Sequence, residues 1–388
     1  MASIFRPPYR VSRQFSTQRT LFQRPASPVR ELSQSNFTLL DSTEKLEEET
    51  LSWYSPDSFC PVRIGEVFQS RYHQIDKLGY GGYSTVWLCR DLQQHAYVAL
   101  KAFECNSTEG QSETEIYHHL NSLNIVDHAG LPITSPECSF GCLVHPPFGV
   151  SLYDFHTQLR AKVFPERIVK LALVHVLALD FLHIEAGIVH TANFEEEEKS
   201  SPSPRKIVGD RVIYASRKLK ETKQNGRPTL CDFGQARRGS NTYCGDIQPY
   251  IYRTPEVLLQ MPWNEKVDIW NVGVLTWDLF QQGHLLYARD SDKKSSDAHH
   301  LAEMIAIMGP PPKEMLRNSV YATEFFDGEG DWKGAIEIPS RTLEKLEGNL
   351  EGEPQRLFLQ FVRKMLRWKL EARGSARKLL DDPWLRTP

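Results

Sequence analysis

No run of apolar residues in this sequence is long enough to cross a bilayer. The most hydrophobic stretch, residues 168–182, falls short of the roughly 20 residues a membrane helix needs and carries Lys170, His175 and Asp180. No membrane association is expected. Cysteine is sparse, seven in 388 residues, with only Cys138 and Cys142 close together. No second pair or histidine cluster completes a metal site, so free thiols in a reducing compartment are expected. Excess positive charge is also missing. The net charge of −3 gives no general electrostatic reason for direct nucleic-acid binding. Acidic residues are absent from the first 30 positions, which hold Arg6, Arg10, Arg13, Arg19, Arg24, Arg30 and several serines. An Arg- and Ser-rich, acid-free start resembles a mitochondrial presequence; a disordered basic tail containing Pro7, Pro8 and Pro25 is the other reading.

What is present is an ordinary globular balance, 40% hydrophobic and 24% charged, in a chain long enough for two or three lobes. Residues 31–60 read as a polar linker with an approach segment, Leu51-Ser52-Trp53-Tyr54, and order is expected from about Val62. Residues 72–78 read as a strand leading into Gly79-Tyr80-Gly81-Gly82-Tyr83-Ser84-Thr85-Val86. Further strands are expected at 85–90 and 97–103. A glycine-rich hairpin lets backbone N–H groups approach phosphates without Cβ obstruction. Ser84 stands where the third glycine of G-x-G-x-x-G belongs, and a bare hairpin is the alternative. Lys101 on the third strand and Glu113 on the following helix, residues 112–123, change that balance. Such a pair aims an ammonium at α and β phosphates, although as isolated residues both would be ordinary surface charges. Glu115 is the rival partner, but it points off the face that Glu113 shares with Ile116, Tyr117 and Leu120.

Residues 142–145 read as another strand, ending in Pro146-Pro147. In the helix expected over 164–183, Ile168, Leu171, Val174, Ala178 and Phe181 form an apolar stripe that is core by default. Residues 195–227 are low-complexity and charged, and read as an exposed insert. Beyond it, Asp232 ends an apolar strand and precedes Phe233-Gly234, a setting that suits a Mg²⁺ ligand holding phosphate oxygens. Residues 267–275 are apolar almost all round and predict a helix buried inside a large lobe.

Taken in order, the glycine loop, Val98-Ala99-Leu100-Lys101, His190, Asp232-Phe233-Gly234, Thr254-Pro255-Glu256, Asp268 and Arg373 resemble the eukaryotic protein kinases over about residues 70–386. Tyr252-Arg253 and Gly309-Pro310-Pro311-Pro312 resemble the branch holding the cyclin-dependent, MAP and SR-protein kinases. Leu78 to Trp87, His190-Thr191, Cys231 to Arg237 and Asp246-Ile247-Gln248 are most similar to fungal kinases of the SR-protein kinase (SRPK) type. The resemblance implies an α+β bilobal fold. After a disordered or targeting extension at 1–60 would come an N-lobe (61–146) of small antiparallel sheet plus one helix, and a mainly helical C-lobe (147–388).

It implies ATP and Mg²⁺ as cofactors. Gly79, Tyr80, Gly81, Gly82, Tyr83, Ser84 and Val86 would cover ATP, with Val86 and Ala99 on adenine and His145 at the back of its pocket. Lys101, oriented by Glu113, would hold phosphates, and Asp232 would hold Mg²⁺. Glu256 and Arg373 would form a buried ion pair, and Asp268 would tie the catalytic loop to the buried helix. Arg/Ser-rich protein substrates, a monomer, and a cytoplasmic and nuclear location are implied, with the mitochondrion as the alternative suggested by the N-terminus.

One stretch departs from the family. The kinase catalytic loop runs His-x-Asp, four residues, then Asn. Here His190-Thr191-Ala192-Asn193-Phe194 runs straight into four glutamates. The base Asp is missing, and His190 and Asn193 stand as remnants of the loop, Asn193 as a candidate second metal ligand. Three readings stay open: an active kinase whose translation has lost part of an exon, a pseudokinase that binds nucleotide or a partner without transfer, and a divergent kinase using another base. Thr191 replaces the Arg that receives an activating phosphate in phosphorylation-gated kinases, so no such switch is expected.

Overall fold

In the computed structural model, residues 28–32, 36–122, 131–134, 141–147, 152–159, 162–177, 198, 200–217, 232–237 and 242–387 are described. Strands β1 (Val67–Phe68), β2 (Tyr72–Gly81), β3 (Ser84–Asp91), β4 (Ala96–Phe103), β5 (Leu131–Thr134) and β6 (Gly141–His145) form one antiparallel sheet, ordered β1-β2-β3-β4-β6-β5. Their β-branched and aromatic residues suit a pleated, half-buried surface. Gly81 pairs with Ser84, so Gly82 and Tyr83 form the turn of the glycine-rich hairpin. The register between β2 and β3 slips around Ile75 and Leu78. Such bulges add twist and re-aim the strand end, here the end that carries the loop. Helix α1 (Thr108–Ser122) brings Tyr117 onto Phe103 and Leu143, and Phe233 from the second half of the chain joins that cluster.

The second lobe is helical. Its described helices include α2 (Leu152–Gln158), α3 (Glu166–Leu177), α4 (Pro255–Leu258), α5 (Lys266–Phe280), α6 (Asp297–Met308), α7 (Gly352–Met365), α8 (Ala376–Leu380) and α9 (Pro383–Arg386). Helix α5 is buried on nearly every side, as its sequence requires. A Cβ on Gly273 would sit 3.0 Å from Leu366 Cδ2 and Met365 Cβ, so this glycine is what lets α5 and the end of α7 approach. Trp277, Phe280, Phe358 and Trp384 interlock around that contact. The fold is the expected α+β bilobal one.

Three expectations need correction. Within 31–60, Leu32, Glu48 and Phe59 are buried, so this stretch is not a free linker and order does not wait for Val62. It forms an arm tied to the sheet. In α3 the buried face carries Val169, Ala172, Leu173 and Leu177, whereas Ile168, Leu171 and Val174 are exposed. That helix is apolar on several sides, so periodicity did not single out one stripe; Ala178 and Phe181 lie outside the described residues.

The third correction concerns the insert. Residues 205–214 form a hairpin of β7 (Arg205–Val208) and β8 (Arg211–Tyr214). Glu198, Ser203, Arg205, Lys206 and Tyr214 are all buried. Composition reads as solvated here because it counts charges without their partners. Glu198 takes Arg205 at 3.0 Å and Arg217 at 2.8 Å, and Arg217 also binds Asp76 of β2. Lys206 meets Glu49 at 2.6 Å, and Lys77 binds Glu48. The Arg205 guanidinium lies between the rings of Phe37 and Tyr214, 4.4 and 4.7 Å from their centroids. The arm and the hairpin thus clamp β2 directly behind the glycine loop.

Candidate active site

Register sets the site. On β4, Lys101 pairs with Val86 of β3, and Ala99 pairs with His145 of β6. Lys101 points to α1, where its Nζ donates to Glu113 Oε2 at 2.7 Å. The same Nζ donates to Asp232 Oδ1 at 2.8 Å. Glu113 Oε1 accepts from the Phe233 backbone N–H at 3.3 Å, so one carboxylate orients both the ammonium and the backbone beside Asp232. Glu115 is exposed and plays no part in this contact.

Burial works against the charge on Lys101, but Glu113 and then Asp232 outweigh it and hold its pKa above the ordinary lysine value. The group is therefore a permanent cation at neutral pH. Asp232 has φ +69°, a left-handed backbone that Asp adopts more readily than most L-residues. Its side chain is 74% exposed, open to a ligand on the side away from Lys101. Phe233 packs its ring edge-on against Tyr117, which in turn meets His145. Burial, then the Lys101 charge, pushes His145 down to about 4, so its ring is neutral behind the site.

None of Gly79, Gly81 and Gly82 has a positive φ, and a Cβ on Gly79 would meet nothing within 4 Å. Glycine there is not needed for the turn; it leaves the backbone uncovered. Tyr80 is exposed, Ser84 is buried, and the Tyr83 hydroxyl accepts from Gln235 Nε2 at 3.1 Å, linking the loop tip to the residue after Gly234. Val86 stands opposite Lys101 and Ala99 opposite Leu88, so the two are diagonal neighbours on one face of β3 and β4, with Ala99 buried. These residues fit a triphosphate and a divalent cation: an uncovered loop, a fixed cation and an open carboxylate. His190 and Asn193 lie outside the described residues, as does the loop Asp268 was expected to hold.

The segment after residue 242 is tightly held. Gln248 donates to the Val267 carbonyl and Asn271 Oδ1, and accepts from the Thr254 N–H, at 3.2, 3.0 and 3.0 Å. Arg253 pairs with Asp246 at 3.0 Å, and the Tyr252 hydroxyl donates to Asp278 at 2.7 Å. Arg373 grips Glu256 through two parallel contacts of 2.8 and 2.6 Å, both side chains buried. Sequence reading missed Asp76, Lys77, Glu198, Arg205, Arg217 and Gln235. Only their spatial convergence marks them, and no local motif does.

A solved kinase-domain crystal structure superposes with a TM-score of 0.60 at 20% identity, covering 85% of this chain and 99% of that one, so the fold is that of a protein kinase. A family profile described as "Protein kinase domain" matches residues 219–385. A serine/threonine protein kinase of Aspergillus fumigatus is 46% identical over 383 residues, 94% of this chain and 97% of that protein. The chain belongs to the eukaryotic protein kinases. Within them it is a serine/threonine kinase by family that resembles the SRPK type. A serine/threonine-protein kinase SRPK of Physarum polycephalum is 24% identical, covering 87% of this chain and 91% of its own length. No helix among the described residues is long and apolar enough to cross a membrane.

Proposed function

We propose that this chain binds ATP with Mg²⁺ and directs the γ-phosphate to serines of Arg/Ser-rich proteins, as a monomer of the cytoplasm and nucleus. The observation that carries the nucleotide reading is the contact of Lys101 Nζ with both Glu113 and Asp232, 2.7 and 2.8 Å away. When bound, ATP supplies the phosphoryl group and Mg²⁺ neutralises charge developing on it. The chain supplies a fixed ammonium at Lys101, a carboxylate at Asp232 and an uncovered backbone at Gly79 to Val86, with Asn193 as the second candidate metal ligand. Catalysis of this kind is positioning plus electrostatics, and these groups are arranged for both. The SRPK-type resemblance supports the substrate class. The pairing of Arg253 with Asp246, together with Thr191, supports a segment that works without an activating phosphate.

A second reading, a nucleotide-binding pseudokinase or scaffold, is favoured by the sequence His190-Thr191-Ala192-Asn193, which offers no base. Loss of a general base costs on the order of 10²–10⁴ in rate. Phosphate incorporation into an Arg-Ser-repeat peptide by the purified chain decides between them. Incorporation that disappears in Asp232→Ala supports the kinase; nucleotide binding without incorporation supports the pseudokinase. Sequencing the transcript across codons 185–200 shows whether an intact His-Thr-Asp loop is encoded. Lys101→Met is expected to weaken binding of a non-hydrolysable ATP analogue about 10- to 100-fold, as loss of a charged hydrogen bond implies; unchanged affinity would remove the nucleotide assignment. A reporter fused to residues 1–40 tests the location, and mitochondrial import would overturn the cytoplasmic one.

A further inference from the structure

The tip of the glycine loop is held from outside the sheet. The indole N–H of Trp53, on the N-terminal arm, donates to the Gly82 carbonyl at 3.0 Å. The ring lies against the same residue, since a Cβ on Gly82 would sit 3.7 Å from Trp53 Cζ2. The arm itself is anchored on both sides of Trp53. Before it, Glu48 binds the buried Lys77, and Glu49 binds Lys206 at 2.6 Å. After it, the Ser58 carbonyl accepts from the Cys105 N–H at 2.7 Å, just past β4. Phe59 is buried next to this anchor and meets Tyr54, ring centroids 5.4 Å apart. On the neighbouring residue of the tip, Tyr83 is tied to Gln235.

A two-residue turn rich in glycine has little of its own to fix its position. Here both turn residues are held from elsewhere in the chain: Tyr83 by Gln235 and, at its carbonyl, by the Glu104 N–H at 2.8 Å, and Gly82 by Trp53. Trp53 is nonetheless 57% exposed. A large aromatic side chain left that open contributes little to the core, so its contact with the loop is its distinctive one.

We infer that Trp53 is a positioning residue that sets where the glycine-loop tip stands over the triphosphate, and that the N-terminal arm thereby tunes nucleotide affinity. This rests on the ATP reading above. It acts on the phosphates and leaves the adenine contacts at Val86, Ala99 and His145 alone.

The test compares Trp53→Phe, which keeps a ring and loses the N–H, with the full-length chain. Amide hydrogen exchange of residues 79–86 without nucleotide is expected to quicken in the variant, with α5 unchanged. Affinity for a non-hydrolysable ATP analogue is expected to fall about two- to tenfold, the equivalent of one net hydrogen bond, while affinity for adenosine stays the same. Equal exchange and equal analogue affinity in the two chains would overturn the inference. A parallel loss for adenosine would overturn it too, because general damage to the lobe moves both ligands. If the unaltered chain binds neither ligand, the ATP reading fails and the tuning of affinity falls with it, while the exchange measurement still decides whether Trp53 holds the loop.

Discussion

Beside β2, one patch of the N-terminal lobe buries Asp76, Lys77, Glu198, Arg205 and Lys206, whereas the cluster among α5, α7 and α9 buries Trp270, Trp277, Phe280, Phe358, Phe361 and Trp384. Both regions exclude water. They do so with opposite chemistry, and the consequences differ. Apolar packing is non-directional and degrades in proportion to the cavity left behind. A buried charge patch requires every partner, because removing one leaves another desolvated and unpaired. In return it specifies one arrangement. Arg217 can satisfy Glu198 and Asp76 together only when the hairpin of β7 and β8 lies on β2. The patch therefore works as a register device behind the glycine loop, and the aromatic cluster works as bulk support under the helical lobe.

The largest test sets one region against the other. Glu198→Ala and Phe358→Ala are each expected to cost about 3–5 kcal/mol in chemical denaturation. They should differ in repair. In an Asp76→Asn background, so that no buried carboxylate is left without Arg217, replacing Glu198, Arg205 and Arg217 together by Leu, Met and Met should recover most of the loss, since a matched apolar replacement of an ion cluster is close to neutral. A triple variant as unstable as Glu198→Ala would show that the patch contributes attraction and not only specificity.

The next effect is one of pH. Burial, and after it the Glu198 carboxylate, pushes Asp76 up to about 6. The native state therefore holds the extra proton, and this group's contribution to stability falls as pH rises from about 4 to 6, then levels. Burial pushes His300 of the helical lobe down to about 3, so the unfolded chain holds the extra proton there and stability is lost as pH falls below about 6.5. Asp76→Asn should make the protein more acid-sensitive between pH 4 and 6, by up to about 3 kcal/mol. His300→Phe should make it less so. Urea midpoints at several pH values check both signs, and a parallel response of the two variants would break the comparison.

The smallest test concerns the one full ion pair in the helical lobe's interior described above, Glu256 with Arg373. Arg373→Lys keeps the charge and loses the two-pronged geometry. A loss of about 1.5–3 kcal/mol is expected, and an unchanged midpoint would show that charge alone suffices there.

Lys101, Glu113 and Asp232 were legible through their order: a Lys on the strand after a glycine-rich hairpin, a Glu on the inner face of the next helix, and further on an Asp closing an apolar run. Glu256 and Arg373 were legible only through resemblance, because 117 residues separate them in sequence. Glu198, Arg205 and Arg217 were misread, since a charged stretch looks solvated until its partners, one of them Asp76 on a distant strand, are known. Trp53 sat in a segment already noted as an approach, but nothing in Leu51-Ser52-Trp53-Tyr54 says that Gly82 lies beneath it. The exposed stripe of α3 has the same lesson in reverse: a helix apolar on several sides has no face until its neighbours choose one.

The sequence by itself therefore determined the strands around the glycine-rich hairpin, the helix that carries Glu113 and the buried helix over 267–275, because those follow from local periodicity and residue chemistry, while the two lobes and the roles of Lys101, Glu113 and Asp232 toward a nucleotide were implied by resemblance. It also determined that no aspartate stands between His190 and Asn193. Only the tertiary structure decided that the arm and the charged hairpin belong to the N-terminal lobe, because a buried ion pair is a property of two distant segments in contact, and neither segment carries the other's address.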